Sequence, residues 1–131
     1  MKLTFSIIIP VYNRPQEIDE LLESLTKQDF QKTFEVVIVE DGSTESSEEI
    51  VKKYQSQLDI KYFFKENSGA GASRNFGMQK ASGNYFIILD SDVIVPKQYL
   101  LEVQKTLENN FTDAFGGPDA AHKSFTNLQK A

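Results

Sequence analysis

Three largely apolar runs govern what this chain can fold into: Phe5 to Ile9, Phe34 to Val39 with Glu35 as its main break, and Tyr85 to Leu89. They are rich in β-branched and aromatic residues and do not alternate with polar ones. That pattern suits strands buried on both faces of a parallel sheet. A fourth run, Ile60 to Phe64, carries a lysine near its start and is expected at an edge. Helical signals lie between the runs. Pro15 suits a first helical position, and Ile18, Leu21, Leu22 and Leu25 follow at helical spacing. Ser46 and Glu49 are spaced as a capping box before Ile50, Val51 and Tyr54. Gly69 to Ala81 reads as a glycine-led helix ending before Gly83, and Leu100, Val103 and Leu107 mark another beyond Pro96. Strands alternating with helices predict an α/β fold, a mostly parallel, doubly wound sheet with helices on both faces.

The chain has 131 residues, the size of one domain, with no internal repeat or linker. The tail from Asp113 to Ala131 reads as the start of a further region, so the chain is expected to be a piece of a longer protein. No apolar run reaches a membrane span, and the N-terminus lacks the features of a signal peptide. There is no cysteine, which excludes disulfides and thiol catalysis. A single histidine, His122, excludes multi-histidine metal sites. Fourteen basic against 19 acidic residues give a net charge of −5 without a basic stripe, which disfavours nucleic acid as a partner. A cytoplasmic location is expected, with membrane association peripheral if it occurs. Chemistry must then rest on carboxylates, amides and backbone groups.

In an open α/β sheet, ligands bind beyond the carboxyl ends of the strands, where strand order reverses. Three strands deliver polar residues to that rim: Pro10-Val11-Tyr12-Asn13, Glu40-Asp41-Gly42-Ser43 and Asp90-Ser91-Asp92. If the chain is extended at Asp90 and Asp92, both carboxylates face one spot and suit Mg²⁺ or Mn²⁺. The same three residues also fit an acidic turn capping the next segment. Asp41-Gly42 fits a turn as well as a contact to a base or ribose. Gly69 to Asn75 is small-residue-rich at a helix start, which favours anions, and Arg74 adds a forked donor; a surface ion pair is its other reading. Glu17 in a first helical turn is explained equally by the helix dipole. There is no P-loop and no dinucleotide fingerprint. His122 and Asp119 read as solvated or turn residues, and Phe63, Phe64, Tyr85 and Phe86 as core.

Four stretches resemble family-2 glycosyltransferases of the GT-A fold: Ser6 to Asn13, Glu35 to Thr44, Asn67 to Gly77 and Gly83 to Asp92. The order matches, and the resemblance covers about residues 3 to 120. It implies a nucleotide-sugar donor, most often a UDP-sugar, and a saccharide or lipid-linked acceptor. By position, Pro10, Val11, Tyr12 and Asn13 frame the nucleoside and Asp41 meets the uracil. Arg74 lies beside base or diphosphate. Asp90, with Ser91 between the two acids, reaches ribose or metal, and Asp92 holds Mn²⁺ or Mg²⁺. Glu17 matches an acidic position near the nucleotide. Inverting members use a carboxylate base that comes well after the D-x-D. Here only Glu102, Glu108, Asp113 and Asp119 follow, so the base is expected outside this chain. The competing expectations are a nucleotide-binding module without transfer and, more remotely, a D-x-D phosphatase. A sugar-1-phosphate nucleotidyltransferase lacks support, because glycines are missing after the first strand.

Overall fold

The computed structural model describes residues 4–30 and 32–109. The elements run β1 (Phe5–Val11), α1 (Pro15–Thr26), β2 (Phe34–Asp41), α2 (Glu48–Tyr54), β3 (Asp59–Lys65), α3 (Ala70–Lys80), β4 (Tyr85–Ile88) and α4 (Tyr99–Asn109). The four strands form one sheet in the order β3-β2-β1-β4, with every pair parallel. Register aligns Ile8 with Val37 on one side and with Ile88 on the other. Strands buried between two helical layers need no polar face, which is why the runs do not alternate.

Odd and even positions go to different layers. Phe5, Ile7, Ile9 and Val11 of β1 join Val36, Ile38 and Ile87 in the larger core, with Ile18, Leu21, Leu22 and Leu25 of α1 and Leu100, Val103 and Leu107 of α4. Those four α1 residues are at most 1% exposed, and each such burial stabilises by about 1.5–3 kcal/mol. On the opposite face Ile8, Val37 and Val39 pack with Phe63, Phe76, Phe86 and Ile88, and α3 covers them. α3 sits close because Gly77 has no side chain: a Cβ there would stand 2.6 Å from Ile8 Cγ2 and 3.2 Å from Val39 Cγ2.

The chain builds outward from β1 to β2 to β3, then crosses back through α3 to β4 on the other flank of β1. That reversal opens a crevice beyond β1 and β4. The segment after β4 is fastened to α1. Val95 N–H donates to Ser24 Oγ (3.2 Å), Gln28 Nε2 to Pro96 O (2.7 Å), and Leu100 N–H to Gln28 Oε1 (3.0 Å).

Three expectations need correction. The capping box does not form: Ser47 precedes α2, and Ser46 Oγ accepts from Glu48 N–H at 3.0 Å instead. The helix start is held by Glu40, whose Oε1 accepts from Ser47 N–H (2.9 Å) and Ser47 Oγ (2.7 Å). Phe64 is not core but 57% exposed. Neighbouring strand residues face opposite ways, so Phe63 takes the inward position on this edge strand. Finally, β4 ends at Ile88, and Ser91 and Asp92 lie in a turn, with Val93 N–H reaching Asp90 O at 3.4 Å. The D-x-D is therefore not extended. Asp113, Asp119, His122 and the tail region fall outside the described residues.

Candidate functional site

A cleft of about 440 Å³ opens at the carboxyl ends of β1, β2 and β4. The end of β1 gives it Pro10, Val11 and Tyr12, and the entry to α1 gives Arg14 and Glu17. β2 contributes Asp41, α3 contributes Ala70 and Ser73, and the turn after β4 contributes Asp90, Ser91 and Asp92. The convergence of three strand ends expected from the sequence is thus met in one place. Four carboxylates and Arg14 line this cleft, and a cation bound there would offset the repulsion of an anionic ligand.

Asp41 is buried, and its carboxylate is committed on several sides. Oδ1 takes Lys65 Nζ at 2.8 Å and Ser68 N–H at 2.8 Å, and Oδ2 takes Gly69 N–H at 3.0 Å. Burial pushes its pKa up, but Lys65 and the two backbone donors outweigh this and hold it below the usual carboxylate range. The start of α3, expected to attract a ligand's phosphate, already holds the Asp41 carboxylate beside it. Gly42 makes the arrangement possible. Its φ is +70°, and a Cβ would stand 2.6 Å from Asn67 N.

The other acid pair is organised by α1. Glu17 Oε1 accepts from Ser91 Oγ at 3.2 Å and lies 3.5 Å from Arg14 Nε. Asp90 and Asp92 offer hard oxygen donors to the cleft. Among the described residues no group of three or more His, Cys, Asp or Glu gathers to hold a metal alone. Two carboxylates fit Mg²⁺ or Mn²⁺ that completes its shell with phosphate and water.

Two expected residues do not line the cleft. Asn13, at φ 51°, turns its side chain to the neighbouring loop, where Oδ1 accepts from Thr44 N–H (2.8 Å) and Glu45 N–H (2.9 Å). Asn is among the few residues that adopt this left-handed backbone readily, and these two bonds across the loops hold it there. Arg74 is exposed on α3, one position past Ser73. Conversely, Arg14 lines the cleft without having been singled out, and Ala70 and Ser73 line it from the Gly69 to Asn75 stretch, which was expected only as an anion-favouring helix start. Glu40, 0% exposed, was also passed over. Its Oε2 takes Ser43 Oγ at 2.5 Å and its Oε1 takes Tyr62 Oη at 2.9 Å, while Ser43 Oγ in turn accepts Asn13 N–H at 2.8 Å. One buried carboxylate thereby fixes the loop after β2 against the loop after β1.

The sequence model described as glycosyl transferase family 2 matches residues 6–131. The chain belongs to that family. Among its relatives, the poly(ribitol-phosphate) beta-N-acetylglucosaminyltransferase TarS of Staphylococcus aureus is 40% identical over 114 residues, covering 85% of this chain and 20% of TarS. The crystal structure of S. aureus TarS 1–349 in complex with UDP-GlcNAc superposes with a TM-score of 0.78 at 39% identity, over 83% of this chain and 32% of that one. The mannosyltransferase PcManGT of Pyrobaculum calidifontis, solved with GDP-Man and Mn²⁺, gives a TM-score of 0.75 at 26% identity, over 82% and 33%. The fold is that of the GT-A transferases, and the expected resemblance stands. The chain spans about a fifth of the length of the curated relatives it matches first. Among the described residues, no helix is long and apolar enough to cross a membrane.

Proposed function

We propose that the cleft binds a nucleoside diphospho-sugar, a UDP-sugar by preference, and that the protein transfers the sugar to an acceptor hydroxyl. The observation that carries this is the meeting of Asp90, Asp92, Asp41 and Arg14 around one cleft at the sheet's switch point. The TarS structures with UDP and UDP-GlcNAc support the choice of nucleotide. Tyr12, exposed at the rim, and Pro10 and Val11 frame the nucleoside. Asp41 reads the base from its fixed position. Arg74, exposed on α3 next to Ser73, would serve the base or the diphosphate from outside the cleft.

Asp92 and Asp90 would hold Mn²⁺ or Mg²⁺. When bound, such an ion supplies a Lewis acid for the departing diphosphate. Arg14 adds a fixed positive charge at the same wall, and Glu17 keeps Ser91 in place between the two acids. An inverting outcome requires a base on the acceptor side. Glu102 and Glu108 do not serve, because both are exposed on α4 and neither lines the cleft. We assign the described residues the donor side of the reaction, with a saccharide or lipid-linked acceptor bound by other residues.

Thermal denaturation with UDP, GDP and dTDP, each with Mn²⁺ or with EDTA, tests the reading. Ligand at ~100 times its dissociation constant adds about 2.7 kcal/mol of stability. The expected result is a clear rise in melting temperature with UDP and Mn²⁺, and a smaller rise without metal. No rise with any of the three contradicts it.

A further inference from the structure

Five serines are buried among the described residues: Ser6, Ser24, Ser43, Ser47 and Ser73. Four of them donate their hydroxyls to a protein acceptor. Ser6 bonds Glu35, Ser24 bonds Leu21 O, and Ser43 and Ser47 bond Glu40. Ser73 Oγ has no partner although the residue is 0% exposed, and Ser73 is the one of the five that lines the cleft. A helical serine commonly satisfies its hydroxyl on the carbonyl four residues back. Here Gly69 O accepts the Ser73 N–H at 3.0 Å and not the hydroxyl. A buried, unpaired hydroxyl is a cost to the free protein, and alanine would also suit the helix better.

The position of Ser73 says what meets it. Gly77 rests on Ile8, and Ser73 lies one turn nearer the strand ends on the same side of the sheet. Pro10 follows Ile8 on that side, and Asp90 lies two residues beyond Ile88, which pairs with Ile8. Asp90 and Asp41 line the same cleft as Ser73, Asp41 with its charge already met by Lys65. The Asp90 carboxylate repels bare phosphate oxygens but accepts a hydrogen bond from a neutral sugar hydroxyl.

We propose that Ser73 is a ribose-binding residue of the donor site, its hydroxyl paired with a hydroxyl of the nucleotide's ribose. This rests on the donor reading above. Ser73 is satisfied only when the nucleotide is bound, so it contributes to affinity and to selection of ribonucleotides while giving the free chain nothing.

The test is calorimetric titration of the wild-type chain and Ser73→Ala with UDP, 2′-deoxy-UDP and 3′-deoxy-UDP, all with Mn²⁺, alongside melting curves of both free proteins. Ser73→Ala is expected to bind UDP about tenfold more weakly, or 1.4 kcal/mol, while melting no lower than wild type. With one of the two deoxynucleotides the difference between the proteins should disappear. Equal affinity of both proteins for UDP overturns the assignment. So does a lower melting temperature for free Ser73→Ala, or a loss that persists with both deoxynucleotides. Failure of the wild type to bind UDP overturns the donor reading itself and is separate from these.

Discussion

Asp41 Oδ1 and Lys65 Nζ stand 2.8 Å apart across the ends of β2 and β3, at positions that face each other in the strand register. Both side chains are mostly buried, at 7% and 14% exposure. Lys65 also donates to Glu66 O at 3.0 Å and to Ser68 Oγ. The pair thus anchors the loop into α3 and sets one wall of the cleft. Lys65→Met keeps the stem and leaves Asp41 charged in a buried site. Removing one partner of a buried pair costs about 3–5 kcal/mol. Urea denaturation should show a loss toward the lower end of that range, since two backbone donors still serve Asp41.

At the opposite rim, Glu35 predicts the acid limit of the fold. Its carboxylate is buried and accepts from Ser6 Oγ, Ser82 N–H (2.5 Å) and Gly83 N–H (3.3 Å), with Lys61 Nζ 2.9 Å away. Burial pushes its pKa up, but the bonds from Ser6, Lys61 and Ser82 prevail and bring it from 4.5 down to about 2. A folded pKa below the unfolded one gives stability that is complete above about pH 4.5 and is lost as pH falls toward 2. The difference corresponds to about 3 kcal/mol. Stability measured by urea denaturation should fall by about that amount between pH 5 and pH 2 on account of this residue. Glu35→Gln should be less stable at pH 7 and show a shallower fall over the same interval.

Gly77→Ala tests how closely α3 must sit. The added methyl meets Ile8 Cγ2 at 2.6 Å on the face of the sheet that α3 covers, so the helix or the strand must move. Overpacking of this kind costs about 1–3 kcal/mol. Because Ala70 and Ser73 reach the cleft from the same helix, affinity for UDP should fall together with the denaturation midpoint.

Glu17 connects α1 to the turn that carries the acid pair. Glu17→Ala removes the acceptor for Ser91 Oγ and the partner of Arg14, both at partly exposed positions. Stability should change by less than about 0.5 kcal/mol, as for most surface substitutions. Affinity for UDP with Mn²⁺ should fall roughly fivefold, about 1 kcal/mol, and Glu17→Gln, which retains an acceptor oxygen, should recover most of it.

Burial on both faces is what made the sheet readable, since it forces the unalternating runs of β1, β2 and β4. The α1 stripe was readable for the same reason. Glu40 was not, because in the stretch Glu40-Asp41-Gly42 a fully buried acid looks like a solvated one. Its partners Ser43 and Ser47 are near in sequence, but Tyr62 Oη arrives only through the pairing of β3 with β2. α3 is built from alanine, glycine and serine in its first turn, so its sequence says little about which side faces the cleft, and Ser73 escaped notice. Arg14 was overlooked because its role depends on the angle at which α1 leaves β1. The D-x-D was found by its position after an apolar strand, although the geometry that brings both acids to the cleft is a turn rather than an extended strand.

The central claim is that Asp90 and Asp92 serve a metal-dependent nucleoside diphosphate site. The most direct measurement is calorimetric titration of the chain with UDP, with and without Mn²⁺, repeated on Asp92→Asn. Binding that Mn²⁺ strengthens in the wild type and that is at least tenfold weaker in the folded variant is the predicted result. Equal affinity in wild type and variant, or binding indifferent to Mn²⁺, would contradict it.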